Sequence, residues 1–345
     1  VIGNIRSGRP GLKIPGNRFN RLSLAITSGL ATGALFPALV SAAQASPATP
    51  ISNGVQTGND LLVNSIGPEF DGVCEAATGG CTLADAIGAA NQSVNPSTIT
   101  FDPAVFGNGG TIKFDTGNNG NALPPVLSDI TVIGTEGLIL ERDAGLGCTF
   151  NGEADASEFR LLHISSRGSA TLADMTLQGG CLDTANGGGL LAEGPVILRR
   201  VTLSGNSART GGGARFADSA QLELVTATAN LAQTTGGGLH FYQSNTVTIS
   251  GSTISGNTAT IGGGITADQT MVSVDLSTLS GNTVTLDGGG LFSLGSDLAL
   301  TRSTVSGNTA GDQGGGLYLL GDQTGGGHRV LDTTIAYNEA PDGAG

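Results

Sequence analysis

The sequence predicts an all-β chain: a right-handed parallel β-helix with three strands per coil and a short N-terminal capping helix. Three observations predict it. Glycine triplets open at Gly187, Gly211, Gly236, Gly262, Gly288 and Gly314, in steps of 24 to 26 residues, and such a period marks an architecture of stacked repeats. Asn206, Asn230, Asn257, Asn282, Asn308 and Asn338 recur in phase with the triplets, four of them closing a Ser-Gly-Asn. After each triplet, side chains alternate in character with period two, which is the period of a strand.

Each coil reads as three strands. In the first, Leu239, Ile265, Leu291 and Leu317 point one way, and Leu191, Arg215, His240, Thr266, Phe292 and Tyr318 point the other. Val247/Ile249, Val272/Val274 and Leu298/Leu300 mark the second strand; Leu203, Ile254, Leu279 and Val305 mark the third. Each strand pairs with its equivalent one coil later, ~4.8 Å away. One coil alone buries only a few aliphatic side chains, worth about 2 kcal/mol each, against an ordering cost of about 1–2 kcal/mol per residue. Stacking closes that gap. Sharp corners call for positive φ, which Gly and Asn accept, and stacked Asn side chains are placed to bond to one another.

Composition narrows the function classes. Gly supplies 58 of 345 residues, which excludes a helical bundle. The glycines have no three-residue period, which excludes collagen. The formal charge of −13 speaks against a nucleic-acid partner.

The N-terminal region is organised differently. Residues 1–45 carry basic residues, then the apolar run Leu22 to Val40, then Ala43-Gln44-Ala45. This is the order of a cleaved secretory signal. Residues 46–60 read as a polar linker, 61–93 as an N-terminal cap and 94–345 as the β-helix. Within the cap, Thr82 and Asp85 stand at capping-box spacing, and Leu83, Ala86, Ile87 and Ala90 share one helical face, which predicts a helix over ~82–92. TITF, TIKF and DITVIG, beginning at Thr98, Thr111 and Asp129, read as strands of irregular coils. Export favours oxidation, so Cys74 is expected to pair with Cys81, and Cys148 with Cys181 as a second bridge. No later stretch is apolar enough to span a membrane as a helix.

The stretch LLVNSIGPEFDGVCEAATGGCTLADAIGAAN, with STITFDPAVFGNGGTI and LPPVLSDITVIG after it, resembles the N-terminal region of secreted bacterial β-helix proteins that carry the CSLREA motif. The motif stands here as Cys81-Thr82-Leu83-Ala84-Asp85-Ala86 and departs at Ala84 and Asp85, where the family has Arg and Glu. The SGNTA…GGGL repeats resemble those of chlamydial polymorphic outer-membrane proteins. The resemblance implies a secreted, cell-surface or outer-membrane protein of bacteria, often with a C-terminal anchor. The sequence stops inside a coil, so a continuation beyond Gly345 is expected.

Two functions follow as expectations. The first is a non-catalytic, adhesin-type surface protein, monomeric, that binds extracellular polysaccharide or a host-surface ligand. Its binding face would be the outward row Arg215, His240, Phe292 and Tyr318, with Tyr242 and Asp268 two residues further along their strands. The second is a polysaccharide lyase or glycoside hydrolase of the pectate-lyase-like class. Glu193, Asp218 and Arg215 are its catalytic candidates, and a glycosidase would need carboxylates ~5–9.5 Å apart. Glu193 and Asp218 differ by one residue in their offset from the triplets. His163, His240 and His328 lie too far apart in sequence for a zinc motif. No cofactor is expected beyond weak attraction of Ca²⁺ to the acidic surface.

Overall fold

A computed structural model describes residues 60–74, 80–321 and 327–343. The expected export signal, and the linker apart from Asp60, lie outside the described residues. The described chain is a right-handed parallel β-helix. Among the described residues, its strands fall into three parallel sheets of seven, seventeen and five strands.

The coil that opens at Gly236 shows the plan. Leu239–Tyr242 joins the seven-stranded sheet, and Thr246–Ser250 and Thr253–Ser255 both join the long sheet. The three expected strands are present, and a short strand, Thr258–Ala259, follows the Asn and builds the five-stranded sheet. Register is kept residue for residue: Leu239 pairs with Ile265, Val247 with Val272 and Ile254 with Leu279. One continuous core runs through the coils. Inward Leu, Ile and Val stack over their equivalents, and the rings of Phe216 and Phe241 lie parallel at 4.9 Å.

The corners correct one expectation. This coil turns at four left-handed residues: Gly236 (φ +69°), Gln243 (+50°), Gly251 (+57°) and Gly256 (+63°). None of the six Asn is among the residues of positive φ; the residue before each one is. That position is Gly205, Gly256, Gly281 or Gly307, and elsewhere Ala229 or Tyr337. The division of labour is steric. The left-handed residue turns the chain and faces water, as the 89% exposed Tyr337 shows. The Asn keeps an ordinary backbone so that its amide points inward. The triplet divides its work too. Its first Gly supplies the positive φ, while a Cβ on Gly237 would sit 2.5 Å from the Gly263 carbonyl and one on Gly238 2.7 Å from that of Gly264. Neighbouring coils approach too closely there for any side chain.

At the N-terminal end, Leu83–Ala90 forms the expected helix. Thr82 accepts from the Asp85 amide and the Asp85 carboxylate accepts from the Thr82 amide, a reciprocal capping box. Asp85 also accepts from the Asp71 and Gly72 amides at 2.9 Å, which fixes the preceding loop. Leu83, Ala86, Ile87 and Ala90 are buried, and the helix packs on Asp60–Val63 and Ser97–Phe101. TIKF and DITVIG fall in the strands Gly110–Phe114 and Asp129–Ile133. Disulfides join Cys74 to Cys81 and Cys148 to Cys181, with Cα atoms 4.3 and 5.9 Å apart. No helix among the described residues is long and apolar enough to cross a membrane.

Candidate functional site

Polar residues form columns along the helix, and their hydrogen bonding separates them. The Asn column lies inside. Asn282 Oδ1 accepts from the Asn257 amide at 3.0 Å and from Asn257 Nδ2 at 2.9 Å. Its own Nδ2 donates to the Ile254 carbonyl and to Asn308 Oδ1. The same pattern links Asn206 through Asn338, and at the N-terminal end the Gly180 amide donates to Asn206 Oδ1. From Asn206 to Asn308 these residues are at most 1% exposed. Every bond that the amide can make inside the protein is made.

A second inner column went unread in the sequence. Ser252, Ser277 and Ser303 sit at the kink of the long sheet. Each accepts a backbone N–H from the coil before and donates to the carbonyl two residues back. Their signal was a Ser five residues before each Asn, spaced like the triplets but chemically bland.

The outward strip of the seven-stranded sheet is different. Leu191, Arg215, His240, Thr266, Phe292 and Tyr318 occupy one row in unbroken register. Tyr242 and Asp268 stand two residues further along their strands, on the same face, and Glu193 follows directly after the end of the strand Leu190–Ala192. The Arg215 guanidinium lies 4.8 Å from the centre of the Tyr242 ring. His240 meets that ring edge-on at 6.0 Å, and Phe292 and Tyr318 stack at 5.6 Å. The row is more enclosed than an open sheet face: His240 is 6% and Phe292 8% exposed. It lies in the angle between strand and glycine turn, where Thr266 donates to the Ile261 carbonyl.

Enclosure leaves polar atoms unsatisfied. His240 Nδ1 and Asp268 Oδ1 are buried without a hydrogen-bond partner among the described residues. Burial, reinforced by the positive charge of Arg215, lowers the His240 pKa to about 3, so the ring is neutral. Burial raises the Asp268 carboxyl above its ordinary value, with Arg215 opposing. Burial likewise lowers Arg215. The strip therefore combines an aromatic platform, a cation, a neutral imidazole and an under-partnered carboxyl within adjacent coils.

The catalytic candidates take separate partners. The Glu193 carboxylate accepts from His163 Nε2 at 2.9 Å. Asp218 accepts from the Ser219 amide and, at 2.7 Å, from Asn245 Nδ2. Glu193 follows the register of Ala217, one residue from Asp218. His163 extends the outward row by one coil, opposite Leu191; no triplet precedes it, which hid it in the sequence. Arg160, donating to Asn121 Oδ1 and the Asn186 carbonyl, has its pKa lowered to about 10 by burial. A depression of about 580 Å³ lies elsewhere, on the outer face of the long sheet. Thr131, Thr171, Gln221 and Thr248 line it with Asp129, and they supply no pair of titratable groups.

A family model described as periplasmic copper-binding protein (NosD) matches residues 192–339, which are less than half of the chain. No curated protein and no solved structure matches. The match falls on the regular coils, so the chain resembles that family in its stacked β-helix. The described residues do not offer copper a donor set. No three His, Cys, Asp or Glu converge among them, all four Cys are in disulfides, and Met175 is buried in the core while Met271 lies on the surface.

Proposed function

We propose that the chain is an exported, non-catalytic β-helix that binds carbohydrate along the outward strip of its seven-stranded sheet. One observation carries the reading: Arg215, His240, Tyr242, Asp268, Phe292 and Tyr318 share one face in consecutive coils, and two of their buried polar atoms lack partners. A buried polar atom without a partner costs about 1–3 kcal/mol. A ligand hydroxyl that bonds to it recovers that energy. Aromatic rings supply flat apolar surface for a sugar face. The coil spacing of ~4.8 Å is close to the length of one pyranose unit, so a polysaccharide laid along the axis would meet one coil per sugar.

Two disulfides support export to an oxidising compartment, as do the signal-like residues 1–45. The NosD match favours the periplasm as that compartment, while the surface-protein resemblance favours the cell exterior. In this reading 46–60 is a linker, 61–93 a cap and 94–345 the binding scaffold of a monomer. The test is a glycan array with the wild-type chain and Tyr318→Ala. The reading expects a class of polysaccharide bound by the former and lost from the latter. Absence of binding to any glycan would overturn it.

A further inference from the structure

The outer face of the third strand carries a second array that the carbohydrate reading does not use. Thr176, Thr202, Thr226, Thr253, Thr278, Thr304 and Thr334 stand in one column, each paired with the next. Two residues on, Ser204, Thr228, Ser255, Ser280 and Ser306 form a parallel column. The residue between the columns points into the core: Leu203, Ala227, Ile254, Leu279 and Val305 are all 0% exposed.

Three observations set this face apart from an ordinary sheet surface. First, none of these hydroxyls bonds to a protein group among the described residues, whereas the kink serines immediately before Thr253, Thr278 and Thr304 spend theirs on backbone. Second, seven threonines in succession make this the longest outward run of one residue type among the described strands; the five-stranded sheet has three, Thr258, Thr283 and Thr309. Across the kink of the same sheet the outward column reads Thr171, Ile197, Gln221, Thr248, Ser273, Ala299 and Arg329. Strand propensity accounts for that mixture, and it would not by itself hold seven threonines in succession. Third, the face is open along one side. Gly205, Ala229, Gly256, Gly281 and Gly307 border it, none with more than a methyl group, and only in the last described coil does a large side chain, the exposed Tyr337, take this position. On the other side, Arg200 and Arg302 are held by ion pairs to Asp174 and Asp275, and Leu224 and Leu276 stand exposed in the coils between them.

The hydroxyls thus repeat at ~4.8 Å along the helix axis and at ~6.6 Å along the strand. Both spacings are close to oxygen repeats in surface planes of hexagonal ice. We propose that this threonine–serine face binds ordered water and adsorbs to ice. Each threonine presents a hydroxyl that can enter the lattice and a methyl that orders the water beside it. The face covers roughly 300 Å² by strand geometry, well under the ~800 Å² per partner of a stable protein interface. It also carries no charge for an ionic partner. A rigid, repeating, uncharged solid fits it better than a protein does.

The test is ice-recrystallisation inhibition by the purified chain, with Thr278→Tyr and Thr304→Tyr as disrupting variants. Ser273→Tyr, outward on the other half of the same sheet, is the matched control. The proposal expects inhibition by wild type and S273Y, and at least a tenfold loss in T278Y and T304Y at unchanged melting temperature. Thr278→Val, which keeps shape and strand propensity, should lose activity to a smaller degree. No inhibition by the wild-type chain, or equal inhibition by the tyrosine variants, overturns it. Glycan binding is read separately and does not enter this outcome.

Discussion

Two columns of polar side chains run along this helix at the same pitch, one inside and one outside. The inner asparagines have every hydrogen bond made. The outer strip crowds His240 and Asp268 against Arg215 and leaves buried atoms of both without partners. Burial alone does not separate the two columns, because His240 is more enclosed than Asn338. What separates them is satisfaction. A column that the fold completes stabilises the fold, and a column that it leaves incomplete is available to a ligand.

The largest expected effect lies on the inner column. Asn282→Ala removes the acceptor of the Asn257 backbone amide and of Asn257 Nδ2 and the side-chain donor to the Ile254 carbonyl, while Asn308 Oδ1 keeps the Asn282 backbone N–H. At about 1–3 kcal/mol for each unsatisfied group, the loss should be on the order of 4 kcal/mol, read from the midpoint of chemical denaturation. Glycan affinity per folded molecule should not change.

The next effect concerns pH. The His240 pKa falls from 6.5 in the unfolded chain to about 3 in the fold, so between these values the unfolded state binds more protons. Stability therefore rises with pH across that window and is lost as pH falls through it. Asp268, raised by burial, acts in the opposite sense just above its ordinary value. His240→Thr, which installs the residue that Thr266 supplies one coil later, should flatten the melting temperature between pH 3 and 6.5. An unchanged slope would place the protonation elsewhere.

Two smaller effects sharpen the contrast. Gly256→Ala puts a Cβ on a left-handed residue, at about 1–2 kcal/mol. Ala229 already occupies that position one coil earlier, so the variant should fold with a modestly lowered midpoint. Tyr318→Ala removes one stacked ring from Phe292 and should cost about 1 kcal/mol, while abolishing glycan binding. An inner variant that lost binding, or an outer one that lost only stability, would break the division.

The sequence made the stacking legible because repetition amplifies a weak local signal. Six triplets and six asparagines in phase leave few alternatives, and the helix at Leu83–Ala90 was readable from Thr82, Asp85 and one apolar face. What it concealed was geometry finer than the period. The residue before each Asn, and not the Asn, takes the positive φ, because either could serve a sharp turn and only the inward aim of the amide decides between them. The enclosure of His240 and Phe292 was hidden for a related reason. Alternation assigns a side of the sheet, while the closeness of the glycine turn determines how much water reaches it. His163, Arg160 and the serine column lacked a repeat marker distinctive enough to stand out.

The most direct test is a calorimetric titration of the polysaccharide class selected on the array into wild type, Arg215→Ala and Asn230→Ala. The account predicts that Arg215→Ala loses at least tenfold in affinity with little change in unfolding midpoint. It predicts the reverse for Asn230→Ala, which should keep its affinity per folded molecule at a much lowered midpoint. Equal losses of affinity in both variants would contradict the claim that the satisfied column holds the fold and the unsatisfied one meets the ligand.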